Sequence, residues 1–271
     1  MVMHKRILTA FLFAACGLSA AAHADDGMGD QASPAPAAAP ELVGGNVQFM
    51  TNYVGRGLAQ SLGNPSVEGE IDVNTGDGWY GGVDGNSINW IDKLYPGDDV
   101  GTEIDAWAGY RMHFGGGDWR YKLGFLRLQF PGNYAPQTPP TAEPNTTEAY
   151  GSLSWTTYSV QVNYSVTESF GTPDTKGSLY IDLSGSQPLG NGFTLGEHLG
   201  RNQKTGHDPV TGLSHSRNDY TDYKLHLDYV LGQGITLTLA HTWTNGDLSI
   251  YTLGGYAVAG HHTWLLIEKD F

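Results

Sequence analysis

The sequence is nearly without cysteine, poor in basic residues, and free of long apolar runs beyond its first two dozen positions. Its single cysteine, Cys16, falls in an N-terminal segment expected to be removed, so no disulfide can staple the mature fold. Small residues around it (Phe13-Ala14-Ala15-Cys16-Gly17) are spaced as in a lipobox. Phe13, however, stands where a branched aliphatic is usual, so Cys16 is read as an ordinary signal-peptide cysteine. Lysine and arginine number 14 against 28 aspartates and glutamates, a formal net charge of −14. That balance excludes the basic patches nucleic acid demands and a basic helix lying on anionic lipid. No later stretch stays apolar for the roughly 18 residues of a membrane-spanning helix, which leaves spanning strands open. No glycine loop precedes a helix as a nucleotide cradle would require. The ten histidines show no metal-ligand spacing with Cys or Asp and are read as exposed-loop residues. No cofactor is expected.

The segment predicted to be lost is well marked. His4, Lys5 and Arg6 form a basic start, Ile7 to Ala15 is a short apolar run, and Ala22-His23-Ala24 fits the small-x-small rule. Residues 1–24 therefore read as a signal peptide cleaved near Ala24. Residues 25–41 are rich in Pro and Ala without periodicity, the composition of a flexible periplasmic tail. Residues 42–271 contain no linker and read as one domain.

Within that domain the dominant signal has period two. Ile104, Ala106, Ala108, Tyr110, Met112 and Phe114 alternate with Glu103, Asp105, Trp107, Gly109, Arg111 and His113. The same alternation recurs around Val47, Val160 and Tyr223, giving strands with one apolar and one polar face. About twelve such segments begin near 46, 66, 79, 101, 119, 147, 158, 177, 192, 220, 235 and 261, with ten and fourteen as the neighbouring counts. Connections alternate short and long. Short ones fall at 75–78, 115–118, 156–157, 189–191 and 232–234, and long ones at 91–99, 131–146, 168–176, 202–218 and 245–260. The 59–65 connection is intermediate and joins the long set. Membrane barrels have short periplasmic turns and longer outer loops. Aromatics gather beside the short turns (Trp79, Phe114, Trp119, Trp155, Tyr158, Phe193, Tyr229 and Phe271), as an interfacial girdle predicts. The last strand places Thr263, Leu265, Ile267 and Phe271 on one face, and a terminal Phe is the address read by the barrel-assembly machinery. The fold class predicted is all-β: a transmembrane antiparallel up-and-down β-barrel of about 12 strands.

Thr51-Asn52-Tyr53-Val54-Gly55-Arg56-Gly57-Leu58-Ala59-Gln60-Ser61, followed by Asn64-Pro65-Ser66-Val67-Glu68-Gly69, resembles the opening of the TorF-type porin family. Similar stretches are Trp79 to Val83, Glu103 to Tyr110, Phe130-Pro131-Gly132 leading to Thr147-Glu148-Ala149-Tyr150, and the closing Glu268-Lys269-Asp270-Phe271. The family often carries an aromatic pair where Leu126-Arg127-Leu128-Gln129 stands here. The resemblance spans nearly all of the mature chain. It implies a barrel in the outer membrane of a Gram-negative bacterium and leaves the solute open.

If the apolar face meets lipid, the polar face lines the lumen. That face holds Arg56, Glu68, Glu70, Asp72, Asp84, Glu103, Asp105, Arg111, Arg120, Lys122, Glu148, Asp182, Lys224, His226, Asp228, Glu268 and Asp270. Acids outnumber bases there, so the conduit should concentrate cations, less so as salt rises. Cross-strand pairing could instead plug a barrel this small. Arg56 carries both readings, a structural ion pair and a solute-touching constriction. The reading favoured is a narrow outer-membrane porin for passive diffusion of small hydrophilic solutes, whose partners are outer-membrane lipid, the assembly machinery and small polar solutes or ions, with no nucleic acid. A closed barrel acting as a surface interaction protein is the alternative, with the proline-rich loop 131–146 as contact. A lipid hydrolase is the remote one, because Ser214-His215 lies in an outer loop with the wrong spacing for a nucleophile and its base.

Overall fold

The computed structural model describes residues 43–95, 97–135 and 143–271. The export segment 1–24, its cleavage near Ala24, the tail 25–41 and the middle of loop 131–146 lie outside the described residues.

Twelve antiparallel strands close into a barrel, each paired with its neighbours in sequence and the last with the first. They are β1 (Val43–Met50), β2 (Ser66–Asn74), β3 (Trp79–Ser87), β4 (Thr102–Phe114), β5 (Trp119–Gln129) and β6 (Thr146–Trp155). Then follow β7 (Tyr158–Ser165), β8 (Leu179–Gly190), β9 (Phe193–Gln203), β10 (Tyr220–Gly232), β11 (Ile235–Thr244) and β12 (His261–Asp270). Closure pairs Val47 with Lys269 and Phe49 with Ile267, leaving no sheet edge.

The alternation in sequence becomes the two faces of the wall. Along β9 every second residue from Thr194 to Asn202 is buried, while Phe193, Leu195 and Leu199 point outward and are exposed. The outward aromatics at the short-turn end stack across strand pairs: Trp119 lies opposite Trp155 with ring centroids 6.0 Å apart, and Phe193 opposite Tyr229 at 4.5 Å. Asn191-Gly192 and Gln233-Gly234 make two of the short turns with positive φ at both positions, the backbone a tight hairpin between twisted strands requires. These turns sit slightly later than the sequence pattern suggested, because Leu189, Gly190 and Gly232 still belong to strands.

At the long-loop end chain folds into the interior. β1 ends at Met50, earlier than its alternation to Tyr53 suggested, and Asn52 and Tyr53 turn into the lumen. Ser61 locks that turn: Tyr53 N donates to its hydroxyl at 2.9 Å, and the hydroxyl lies 3.0 Å from Asn52 Oδ1. Between them runs a two-stranded ribbon, Val54–Gly55 against Leu58–Ala59. A short helix, α1 (Trp90–Leu94), packs on it, with Asn89 N and Trp90 N donating to Gln60 O. Ala59, Ile88, Ile91, Val100 and Phe130 are almost wholly buried there, together with Leu126 and Leu128 from the inner face of β5. The polar face of the barrel is thus apolar where it meets this plug, since packed chain rather than water covers it.

Candidate functional site

Sixteen of the seventeen ionisable residues read from sequence as lumen-facing lie on strands that aim them inward, Lys122 on β5, Lys224 and His226 on β10, and Glu268 and Asp270 on β12 among them. Glu68, Glu70 and Asp72 lie on β2, Asp84 on β3, Glu103, Asp105 and Arg111 on β4, and Arg120 on β5. Glu148 lies on β6, Asp182 on β8 and Asp228 on β10. Register crowds several carboxylates together. Glu70 stands opposite Asp84, Asp84 opposite Asp105, and Asn86 separates Glu68 from Glu103. Like charges directly across a sheet repel. Among the described residues Asp84 Oδ2, Glu103 Oε2, Asp105 Oδ1 and Asn86 Oδ1 are buried without a hydrogen-bond partner. This is a wall of oxygen acceptors short of donors.

The seventeenth residue, Arg56, is not on a strand's polar face as its sequence context suggested. It sits at the tip of the ribbon that folds into the lumen, and it reaches the wall through space. Its Nη1 and Nη2 donate to Glu148 Oε1 and Oε2 at 2.9 and 2.7 Å, a bidentate pair. Glu148 Oε2 also accepts from Asn163 Nδ2 at 2.8 Å, and the guanidinium lies 4.8 Å from the centre of the Tyr180 ring. Next to it Gly57 presses on β10 and β11, its carbonyl accepting from Thr244 Oγ1. The ribbon therefore touches opposite sides of the barrel.

A second network fills the facing wall and was missed in the sequence. His198 on β9 is held between two carboxylates, Nδ1 at 2.7 Å from Asp182 Oδ2 and Nε2 at 2.8 Å from Asp222 Oδ1. Tyr180 OH lies 3.2 Å from both Asp222 oxygens. Parity could have found Asp222, which shares a face with Lys224, His226 and Asp228, and His198, which sits midway along an alternating strand. The reading of histidines as exposed-loop residues fails for His198 and His262, both buried inside the barrel, while His226 is buried on the polar face where alternation put it. His198 and His262 lie on the inward parity of alternating strands.

At the long-loop mouth a cavity of about 260 Å³ opens above the acid wall. Tyr53, Trp90, Phe170 and Tyr251 supply aromatic sides, and Arg56, Lys204, Glu103 and Asp105 supply charge. Trp90 is set edge-on to Phe130 and Phe170, with centroids 5.6 and 6.4 Å away. Lys204 follows the last residue of β9 in the long β9–β10 loop, donates to Ser169 Oγ, and lies 5.1 Å from the Phe170 ring centre. Burial pulls its ammonium pKa down to about 8, against the opposing pull of Glu148. Sequence periodicity could not find Lys204, because the loop has none.

The remaining chemistry-bearing residues are engaged elsewhere. Ser214 Oγ accepts from Ser216 N and lies 2.9 Å from Ser216 Oγ, and His215 Nε2 sits 2.9 Å from Pro173 O, so hydroxyl and imidazole are not a nucleophile and base. Among the described residues no three His, Cys, Asp or Glu side chains gather as a metal site.

Solved barrels share this architecture. The KdgM porin superimposes with a TM-score of 0.50 at 8% identity, covering 84% of this chain and 99% of that one. The NanC porin superimposes at 0.51 and 12% identity, covering 84% and 98%. At such identities the likeness is one of fold. No curated protein matches the sequence. The family Gcw_chp, described as a bacterial protein of unknown function, matches residues 34–271.

Proposed function

The chain belongs to the Gcw_chp family, and from that premise we propose that it is a narrow outer-membrane channel through which small hydrophilic solutes diffuse, cations in preference. The observation that carries this reading is the polarity of the wall. Exposed Val, Leu, Phe and Trp face outward, while Glu68, Asp84, Glu103, Asp105, Glu148 and Asp228 are turned into the lumen. A soluble barrel would bury the apolar face and expose the charges. The porin fold of the two superimposed structures and the TorF-type resemblance of residues 51–69 support the same reading. The long loops then face outward and the aromatic girdle marks the periplasmic interface, with export by the N-terminal segment.

Passage needs no cofactor or covalent step. The acid wall raises the local concentration of cations and repels anions, and the ribbon carrying Arg56 narrows the path. The test is to refold the chain from Asp25 into a planar bilayer and record single channels under a KCl gradient. Discrete steps with a reversal potential favouring K⁺ support the proposal. A correctly folded barrel that passes no current overturns it. The second reading then stands, a closed barrel plugged by the ribbon and bound through its outer loops, which the contacts of Arg56 and Gly57 with opposite walls favour.

A further inference from the structure

The outer cavity is more specific than a passive mouth requires. Four of its polar side chains, Glu103, Asp105, Trp90 and Lys204, keep acceptors or donors to spare among the described residues. Glu103 Oε2 and Asp105 Oδ1 are buried acceptors without a donor among the described residues. Trp90 Nε1 is a buried donor without an acceptor. Lys204 has three ammonium hydrogens, yet among the described residues only Ser169 Oγ accepts one. Between these groups the lining is apolar and aromatic, with Leu126 and Leu128 on the β5 side and Phe170 and Tyr251 from the loops. Its volume, about 260 Å³, lies just below the roughly 300–1,000 Å³ of ordinary ligand pockets and suits a molecule of amino-acid size.

We propose that this cavity binds a small zwitterion with an apolar body, the class to which apolar and aromatic α-amino acids belong. The ammonium meets Glu103 and Asp105, the carboxylate meets Lys204 and the Trp90 indole N–H, and the side chain fills the aromatic wall. A simple cation would add to the charge of Lys204 and leave the donors unmet. A simple anion would face two buried carboxylates. A polyol would offer hydroxyls but no charge to either end, and its hydroxyls would meet an apolar wall. The proposal deepens the channel reading by naming a solute class, and rests on that reading for transport but not for binding.

The experiment is calorimetric titration of the detergent-refolded chain with L-phenylalanine, phenethylamine, 3-phenylpropionate and glucose, with conductance recorded on the same preparation. The expected result is that L-phenylalanine binds at least about tenfold tighter than either one-ended analogue, since each lacks one charge-assisted contact. Lys204→Met should erase the advantage over phenethylamine, and Glu103→Gln the advantage over 3-phenylpropionate. Trp90→Phe, which keeps the ring and removes the N–H, should weaken L-phenylalanine severalfold, with unheated gel mobility confirming a folded barrel for each variant. No binding of L-phenylalanine by a folded barrel, or equal binding of a one-ended analogue or glucose, overturns the proposal. Conductance without binding leaves the channel and removes the site, whereas binding without conductance keeps the site and removes the channel.

Discussion

Gly57 lies against Asp222 with no room for a side chain between them. A Cβ on Gly57 would stand 2.8 Å from Asp222 Cγ, 2.6 Å from Thr244 Oγ1, and nearer still to Asp222 Cβ, at a backbone φ of +77°. The tip of this first long connection is thereby pressed onto β11 and β10, two and three strands round the wall from the β1 strand that emits it. Gly57→Val meets both obstacles, a left-handed backbone that a β-branched residue resists and overpacking that costs about 1–3 kcal/mol. The ribbon should leave the wall while the strands stay paired. Single-channel conductance is expected to rise about twofold or more, with strand content by circular dichroism unchanged. Unaltered conductance would show that the ribbon does not limit the path.

The pair formed by Arg56 and Glu148 joins residues 92 apart in sequence. Both side chains are largely shielded from solvent, Glu148 most of all. Removing one partner of a buried pair strands the other, at about 3–5 kcal/mol, whereas removing both is far milder. Arg56→Met and Glu148→Gln should each lower the urea midpoint of the refolded barrel clearly. The double variant should lose less than the sum, giving a coupling of about 2 kcal/mol or more in a double-mutant cycle. Strict additivity would mean that the two charges act independently.

These two contacts also mark where the sequence stops being informative. Strand starts were legible because alternation is local: segments expected near 46, 101 and 177 begin at Val43, Thr102 and Leu179. The inward placing of Glu68, Asp84 and Asp105 follows from the same parity. Arg56 was legible as a residue but not as a place, because Glu148 and Tyr180 fix it, and Thr244 its neighbour Gly57, only once the barrel closes. Leu126 and Leu128 break the polar face for the same reason, since the plug they meet comes from elsewhere in the chain. Asp222 and His198 lay within reach of parity. Lys204 did not, because nothing periodic surrounds it.

Asp84 and Glu103 lie in adjoining rows of the acid wall, and each has a buried oxygen without a partner among the described residues. If they set the potential of the lumen, the double variant Asp84→Asn/Glu103→Gln should reduce the K⁺-over-Cl⁻ preference about twofold in 0.1 M KCl. The wild-type preference itself should shrink in 1 M KCl, where screening shortens from ~10 to ~3 Å. The same variant relieves like-charge crowding, so its urea midpoint should hold or rise. A preference untouched by either change would place selectivity outside these strands.

Lys204 provides the pH dependence. Burial, its largest influence, lowers its pKa from 10.5 to about 8, while Glu148 and Asp219 oppose that shift and Arg56 adds to it. A lysine whose folded pKa is depressed is penalised when charged. Its cost to stability is therefore fully present below pH 8 and is relieved as pH rises from about 8 towards 10.5. Over that window this group makes the barrel more stable with rising pH, and it removes a positive charge from the outer mouth. Cation preference should accordingly increase between pH 7 and pH 9, read as a shift of reversal potential under a fixed KCl gradient. Lys204→Met, already neutral, should show the high-pH preference throughout and a flat profile. If the variant kept the wild-type slope, another group would be titrating at the mouth, and Lys204 would be charged or neutral without consequence for the path.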